Sequence, residues 1–127
     1  MNNSKIKFRI YSFTDKIFHY FDIYEGYPSG IYGGVSEPSQ FTGFLDRNGK
    51  EVYIGDIVSI NSDGQSDAQD NFSNPTIAEV LWEQDAGGYI VKWKGNPRNQ
   101  NYENFTCDVA FFATIIGNIF ENPEFLK

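Results

Sequence analysis

Asp46, Glu51 and Asp56 sit close together in "FTGFLDRNGKEVYIGDIVSI", residues 41–60. Two carboxylates held near each other can share acid–base work or hold a divalent cation. Local structure competes for the same residues. Asp46 opens an Asn48-Gly49 turn, Glu51 falls on an exposed strand face, and Asp56 follows the corner glycine Gly55. Asp is favoured at such places because its side chain accepts backbone N–H bonds. The pattern points to turn chemistry, and no catalytic residue is expected.

Other chemistries find less support. Asp63, Asp67 and Asp70 lie in a polar loop that lacks the ligand spacing and closing Glu of a calcium loop. His19 and Cys107 are the only imidazole and the only thiol. A zinc site needs three or four ligands, usually Cys or His, so no metal is expected. Neither a P-loop nor a G-x-G-x-x-G occurs, and no cofactor is expected. One cysteine allows no internal disulfide, which suits a reducing compartment. There is no apolar run of membrane-spanning length and no signal-peptide pattern, so a soluble cytoplasmic protein is expected.

Aromatic residues make up 17% of the 127 residues, which favours a packed globule over a disordered chain. Tyr24, Tyr27, Tyr32, Tyr53 and Tyr102 fall in or near loops and are candidates for a groove that takes an extended peptide. The alternative for them is partly buried packing beneath long loops. Net charge is -7, which repels phosphate and makes a protein partner or a second copy of the chain a better fit than nucleic acid. A nucleic-acid reading would have to use Lys5, Lys7, Arg9, Lys92 and Lys94. The basic residues near the N-terminus read more simply as the solvated face of a strand. Mimicry of DNA charge, to inhibit a host protein, ranks lower still at this modest net charge. An enzyme built on the carboxylates around Gly55-Asp56 ranks last.

These residues need elements to position them. "KIKFRIYSF" alternates apolar and basic side chains with the period of a half-buried strand. "KIFHYFDIY" reads as its hairpin partner. "EGYPSGIYGGVSEPS" is a long loop. "QFTGFL" and "KEVY" flank the Asn-Gly turn, and "DIVSI" follows the Gly55 corner. Residues 61–75 read as an exposed loop. "TIAEVLWE" and "GYIVKW" form a second clear hairpin, with Ala78, Val80 and Trp82 on one face. "KGNPRNQNYEN" reads as a polar loop, "DVAFFA" as strand or short helix, and "TIIGNIF" as strand. "ENPEFLK" reads as a helical turn with Asn122 as N-cap and Pro123 at its first position. Short strands between turn signals indicate a mainly β barrel or sandwich in a single domain over residues 1–127.

With those elements placed, four blocks resemble the YopX family, small proteins found mainly in bacteriophages and prophages. The first is "KIKFRIY", with Tyr11 where Trp is usual. The second is Phe41, Thr42 and Gly43, then Asp46, Asn48, Gly49 and Glu51, then Gly55, Asp56, Ile57 and Val58. "EVLWEQDAGGYIVKW" fits the family's central hairpin. The last is "IIGNIFENPEFL", including Gly117, Asn118, Asn122 and Pro123. The resemblance implies an SH3-like β-barrel core with hairpin extensions and a short C-terminal helical turn. It implies a phage or prophage accessory role in a bacterial host and supplies no catalytic residues.

Overall fold

The computed structural model describes residues 6–31, 33–60, 76–94 and 102–127. The described chain is mainly β. Its strands are β1 (Lys7–Ser12), β2 (Ile17–Asp22), β3 (Ser39–Leu45), β4 (Glu51–Tyr53), β5 (Asp56–Ile60), β6 (Thr76–Glu83), β7 (Gly88–Trp93), β8 (Tyr102–Asn104) and β9 (Ala113–Asn118). One short helix, α1 (Cys107–Phe111), precedes β9, and a 3-10 turn spans Pro123–Leu126. Residues 61–75, expected to form an exposed loop, lie outside the described residues.

The strands form two antiparallel sheets. The first has the order β2-β1-β3-β4 and the second β8-β7-β6-β5-β9. The chain crosses between them at Gly55, whose φ of +96° is a conformation that side-chain-bearing residues rarely adopt. Its N–H donates to the Val80 carbonyl, and its own carbonyl accepts from Ile119 N–H. The Asn48-Gly49 turn forms where expected, with Asp46 accepting N–H bonds from Asn48 and Lys50.

Alternation along β5, β6 and β7 aims a set of apolar side chains inward. Val52, Val58, Ala78, Val80, Val91, Phe105, Ala110 and Ala113 make the main core cluster. Each fully buried aliphatic side chain of valine size contributes about 1.5 kcal/mol or more relative to exposure. Trp82 follows Ala78 and Val80 along the strand but lies near its end, where it is exposed and meets the Tyr89 ring edge-on.

Several local expectations change. "DVAFFA", read as strand or short helix, divides: residues 108–111 lie in α1, whose first turn is capped by the Thr106 hydroxyl accepting from Val109 N–H, and Ala113 opens β9. The segment read as a polar loop at 94–104 ends in β8, which pairs with β7 along the sheet edge, where polar sequences carry no alternation signal. Asn122 occupies the N-cap position of the 3-10 turn, as expected, but its side chain makes no capping hydrogen bond. Its side chain turns back and accepts from Asn118 N–H instead. Pro123 does open that turn, as expected. The basic residues of β1 are not a solvated face, since Arg9 is only 5% exposed.

Candidate functional site

Register places the chemistry of β1 and β2 on one face of the first sheet. Arg9 pairs with Tyr20 and Tyr11 with Phe18, so these side chains share a side. Phe41 and Tyr53 continue that face through β3 and β4.

The rings on this face touch in sequence. Phe13 meets Tyr11 at 5.5 Å between centroids, and Tyr11 meets Phe18 at 4.9 Å. Phe18 reaches Tyr20 at 6.1 Å, Tyr20 reaches Tyr53 at 5.6 Å, and Tyr53 reaches Phe41 at 5.6 Å. Phe120 joins from the segment after β9, stacked on Tyr11 at 5.2 Å with 9° between planes.

Arg9 lies within this chain of rings. Its guanidinium carbon is 4.1 Å from the Phe18 centroid and 4.8 Å from that of Tyr53. Its Nη2 donates to Asp56 Oδ1 at 2.7 Å, and both partners are almost wholly buried. The second Asp56 oxygen accepts from Tyr53 N–H. Burial pushes the Asp56 carboxyl above its ordinary pKa, against the opposing pull of Arg9 and the Tyr53 amide. Arg9 Nε is buried with no hydrogen-bond partner among the described residues, and His19 Nε2 shares that condition.

The same face carries a second, half-buried ion pair. Lys7 contacts Glu51 and also covers the Phe41 ring. The other Glu51 oxygen accepts from the Tyr53 hydroxyl at 3.2 Å. Burial first, then the Glu51 charge, raises the Tyr53 pKa, so the phenol stays a donor.

At one end the face opens into a cleft of about 480 Å³ lined by Tyr11, Phe13, Lys16, Phe120 and Glu121. Asn118, at the end of β9, holds the segment that carries Phe120 and Glu121 into it. Its Oδ1 accepts from the N–H groups of Phe120 and Glu121, and its Nδ2 donates to Glu121 Oε1. A separate cleft of about 330 Å³ lies between the β3–β4 hairpin and α1, lined in part by Phe44, Leu45, Cys107 and Phe111.

The blocks that shape this face are matched by a known family. The sequence model described as "YopX protein" matches residues 3–127. The chain belongs to the YopX family. No curated protein matches it. Among solved structures it is similar to the crystal structure of protein EF1440 from Enterococcus faecalis, at 20% identity and a TM-score of 0.57. That match covers 96% of this chain and 98% of the other, and it speaks to fold alone.

The YopX blocks have identifiable structural work. Thr42 donates to the Val52 carbonyl and accepts from Phe44 N–H, beside the irregular pairing at Gly43, where φ is +92°. Asp46 closes the Asn48-Gly49 turn and reaches β9 by accepting from Ile115 N–H. Glu51 and Asp56 each face a cation. Gly117 leaves room for the Asn122 side chain, whose Oδ1 would lie 2.5 Å from an added Cβ. Each of these three carboxylates is thus engaged by a partner: backbone amides for Asp46, Lys7 and Tyr53 for Glu51, and Arg9 for Asp56.

The tyrosine candidates separate. Tyr24 and Tyr27 are exposed, at 81% and 57%, and Tyr27 leans edge-on against Phe21. Tyr53 is 2% exposed and faces Arg9, so its ring offers no free groove surface. Tyr32 lies outside the described residues. Tyr102 lies on β8, and its side chain lies outside them. Among the described residues no group of three His, Cys, Asp or Glu side chains converges on a metal position. No helix there is long and apolar enough to cross a membrane. From the sequence, Arg9 reads only as part of a solvated or nucleic-acid-binding face, Tyr11 and Phe120 only as parts of family blocks, and Phe18 only as part of a strand. Only the alternation of basic and aromatic side chains in β1 hinted at them. Nothing in the sequence brings Phe120 to Tyr11.

Proposed function

We propose that the protein is a non-enzymatic binding module that docks a protein partner along β2. One observation carries this reading: β2 is the outermost strand of its sheet, and it and the turn after it expose Ile17, Tyr20, Ile23, Tyr24 and Tyr27. An open edge offers unpaired backbone donors and acceptors to an incoming strand. Edges are usually protected by proline, lysine or a bulge. "IFHYF" has no such protection, and β2 pairs with β1 in unbroken register. The partner is therefore an extended protein segment, with alternating apolar side chains set against the exposed tyrosines. A second copy of the chain meets the same description. In this reading the SH3-like unit implied by the family corresponds to the five-stranded sheet and the C-terminal turn, and the first sheet is the docking platform. A phage accessory role would then act through capture of a host or phage protein.

A nucleic-acid reading is weakened by where the basic residues lie. Arg9 is buried against Asp56, and Lys7 is paired with Glu51. Phosphate contacts need such charges free.

Sedimentation velocity tests the edge directly, using Ile17→Lys and the double variant Tyr24→Ser/Tyr27→Ser. Both should abolish self-association or capture of a defined partner while leaving the urea midpoint unchanged. Undiminished association with either variant would remove β2 as the contact.

A further inference from the structure

The cleft at the end of the aromatic face brings together, at the surface, the same kinds of group that hold Arg9 inside. Arg9 is received by two rings, Phe18 and Tyr53, and one carboxylate, Asp56. In the cleft, Tyr11 and Phe120 stack in parallel. Phe13 stands nearly perpendicular to both, at 77° and 70°, and makes a ring-walled corner. Glu121 supplies the carboxylate beside it. Its Oε1 is held by Asn118 Nδ2, and its Oε2 carries no hydrogen bond among the described residues. Phe18 is common to both arrangements, since it touches the Arg9 guanidinium and also meets Phe120 at 6.0 Å.

Charge selects the occupant. Aromatic faces attract cations, Arg and Lys above all. A carboxylate beside them adds a charge-assisted hydrogen bond. An anionic group would be repelled by Glu121, and an apolar one would strip that carboxylate of water without replacing its hydrogen bonds. The chain's net charge of -7 draws basic partners over longer range. A volume of about 480 Å³ suits one long side chain with part of its backbone. Lys16, which also lines the cleft, has no ion pair among the described residues, and its charge opposes the entry of a second cation.

We propose that this cleft receives a cationic side chain, an arginine or a lysine, projecting from a partner protein. The proposal names the partner chemistry of the protein-binding reading. Its test needs no partner, so the two can fail separately.

The probe is N-acetyl-arginine amide, titrated into the isotope-labelled protein and followed by amide chemical shifts. N-acetyl-leucine amide, N-acetyl-glutamic amide and choline serve as comparisons. Arginine amide should give saturable shifts centred on Phe13, Lys16, Phe120 and Glu121, and the leucine and glutamic compounds should not. Glu121→Gln keeps the side chain's shape and should weaken binding roughly fivefold or more, as should Phe120→Ala. Lys16→Ala should tighten it. Equal shifts with leucine amide, unchanged affinity in Glu121→Gln, or no saturable shift at all would overturn the proposal. Choline binding more tightly than arginine amide would overturn the choice of a protein side chain as occupant. If arginine amide fails while the β2 variants still abolish association, only this proposal falls. If arginine amide binds while the β2 variants have no effect, the cleft stands and the edge contact falls.

Discussion

Replacing Arg9 by Met tests whether the buried ion pair and its rings form one unit. Removing one member of a buried pair typically costs about 3–5 kcal/mol, because the other charge is left without compensation. Arg9→Met also removes two cation–ring contacts, each worth roughly 0.5–2 kcal/mol. Met fills most of the same volume, and the orphaned Nε disappears with the substitution, which offsets part of that loss. A net loss of about 3–5 kcal/mol near neutral pH is a large share of the 5–15 kcal/mol that roughly spans ordinary domain stability. Urea unfolding, read by the fluorescence of Trp82 and Trp93, should show the midpoint falling by about 2 M. The pH dependence is the sharper readout. Asp56 already has a raised pKa from burial, and Arg9 is the largest influence pulling it down. Without Arg9 the carboxyl rises further. A raised carboxyl contributes stability below its ordinary range and loses it as pH climbs through the elevated value. The variant's deficit should therefore be smallest near about pH 4 and largest at neutral pH. Arg9→Met/Asp56→Asn should recover most of the neutral-pH loss, because Asn still accepts from Tyr53 N–H. A deficit below about 1 kcal/mol, or one that does not change between acid and neutral pH, would refute the reasoning.

Other substitutions probe the supports of the face. Gly117→Ala places a Cβ 2.5 Å from Asn122 Oδ1. It should cost about 1–3 kcal/mol in thermal denaturation and be partly rescued by Asn122→Gly. Asp46→Ala leaves the Asn48, Lys50 and Ile115 amides without their acceptor. It should lower stability by about 1–3 kcal/mol and speed hydrogen exchange at Ile115. Glu79 has a pKa raised by burial, which outweighs the lowering by Lys92. Glu79→Gln should therefore stabilise the fold at neutral pH, and the advantage should vanish in urea melts taken below the ordinary glutamate range.

Legibility in the sequence followed the range of the interactions. The hairpins around Asn48-Gly49 and between β6 and β7 are written in local residues, so turn chemistry and alternation located them. Asp46 was readable as a turn residue because two of its three acceptances come from amides within four positions. Its third reaches Ile115, and nothing nearby signals that bond. Arg9 looked like a surface residue because its counter-ion lies on β5 and its rings on β2 and β4. β8 escaped notice because an edge strand supported on one side needs no apolar alternation. The cleft was the least legible part, since its walls come from β1, the following turn and the segment after β9.

The placement of β9 also constrains how the chain is made. β9 lies beside β5, and the segment just after it carries Phe120 onto Tyr11. During synthesis the ribosome delivers these residues after the other described strands. Until they emerge, one edge of β5 is open, the Asp46 carboxylate lacks its Ile115 partner, and Tyr11 lacks its stacked ring. Pairings this distant in sequence pay loop-closure entropy before they gain contacts, so folding is slow compared with helical domains of similar size. The nascent chain therefore passes through a period when the edge of β5 is open in addition to the terminal strands of the two sheets, and it is then most open to chaperones and to mispairing with other copies.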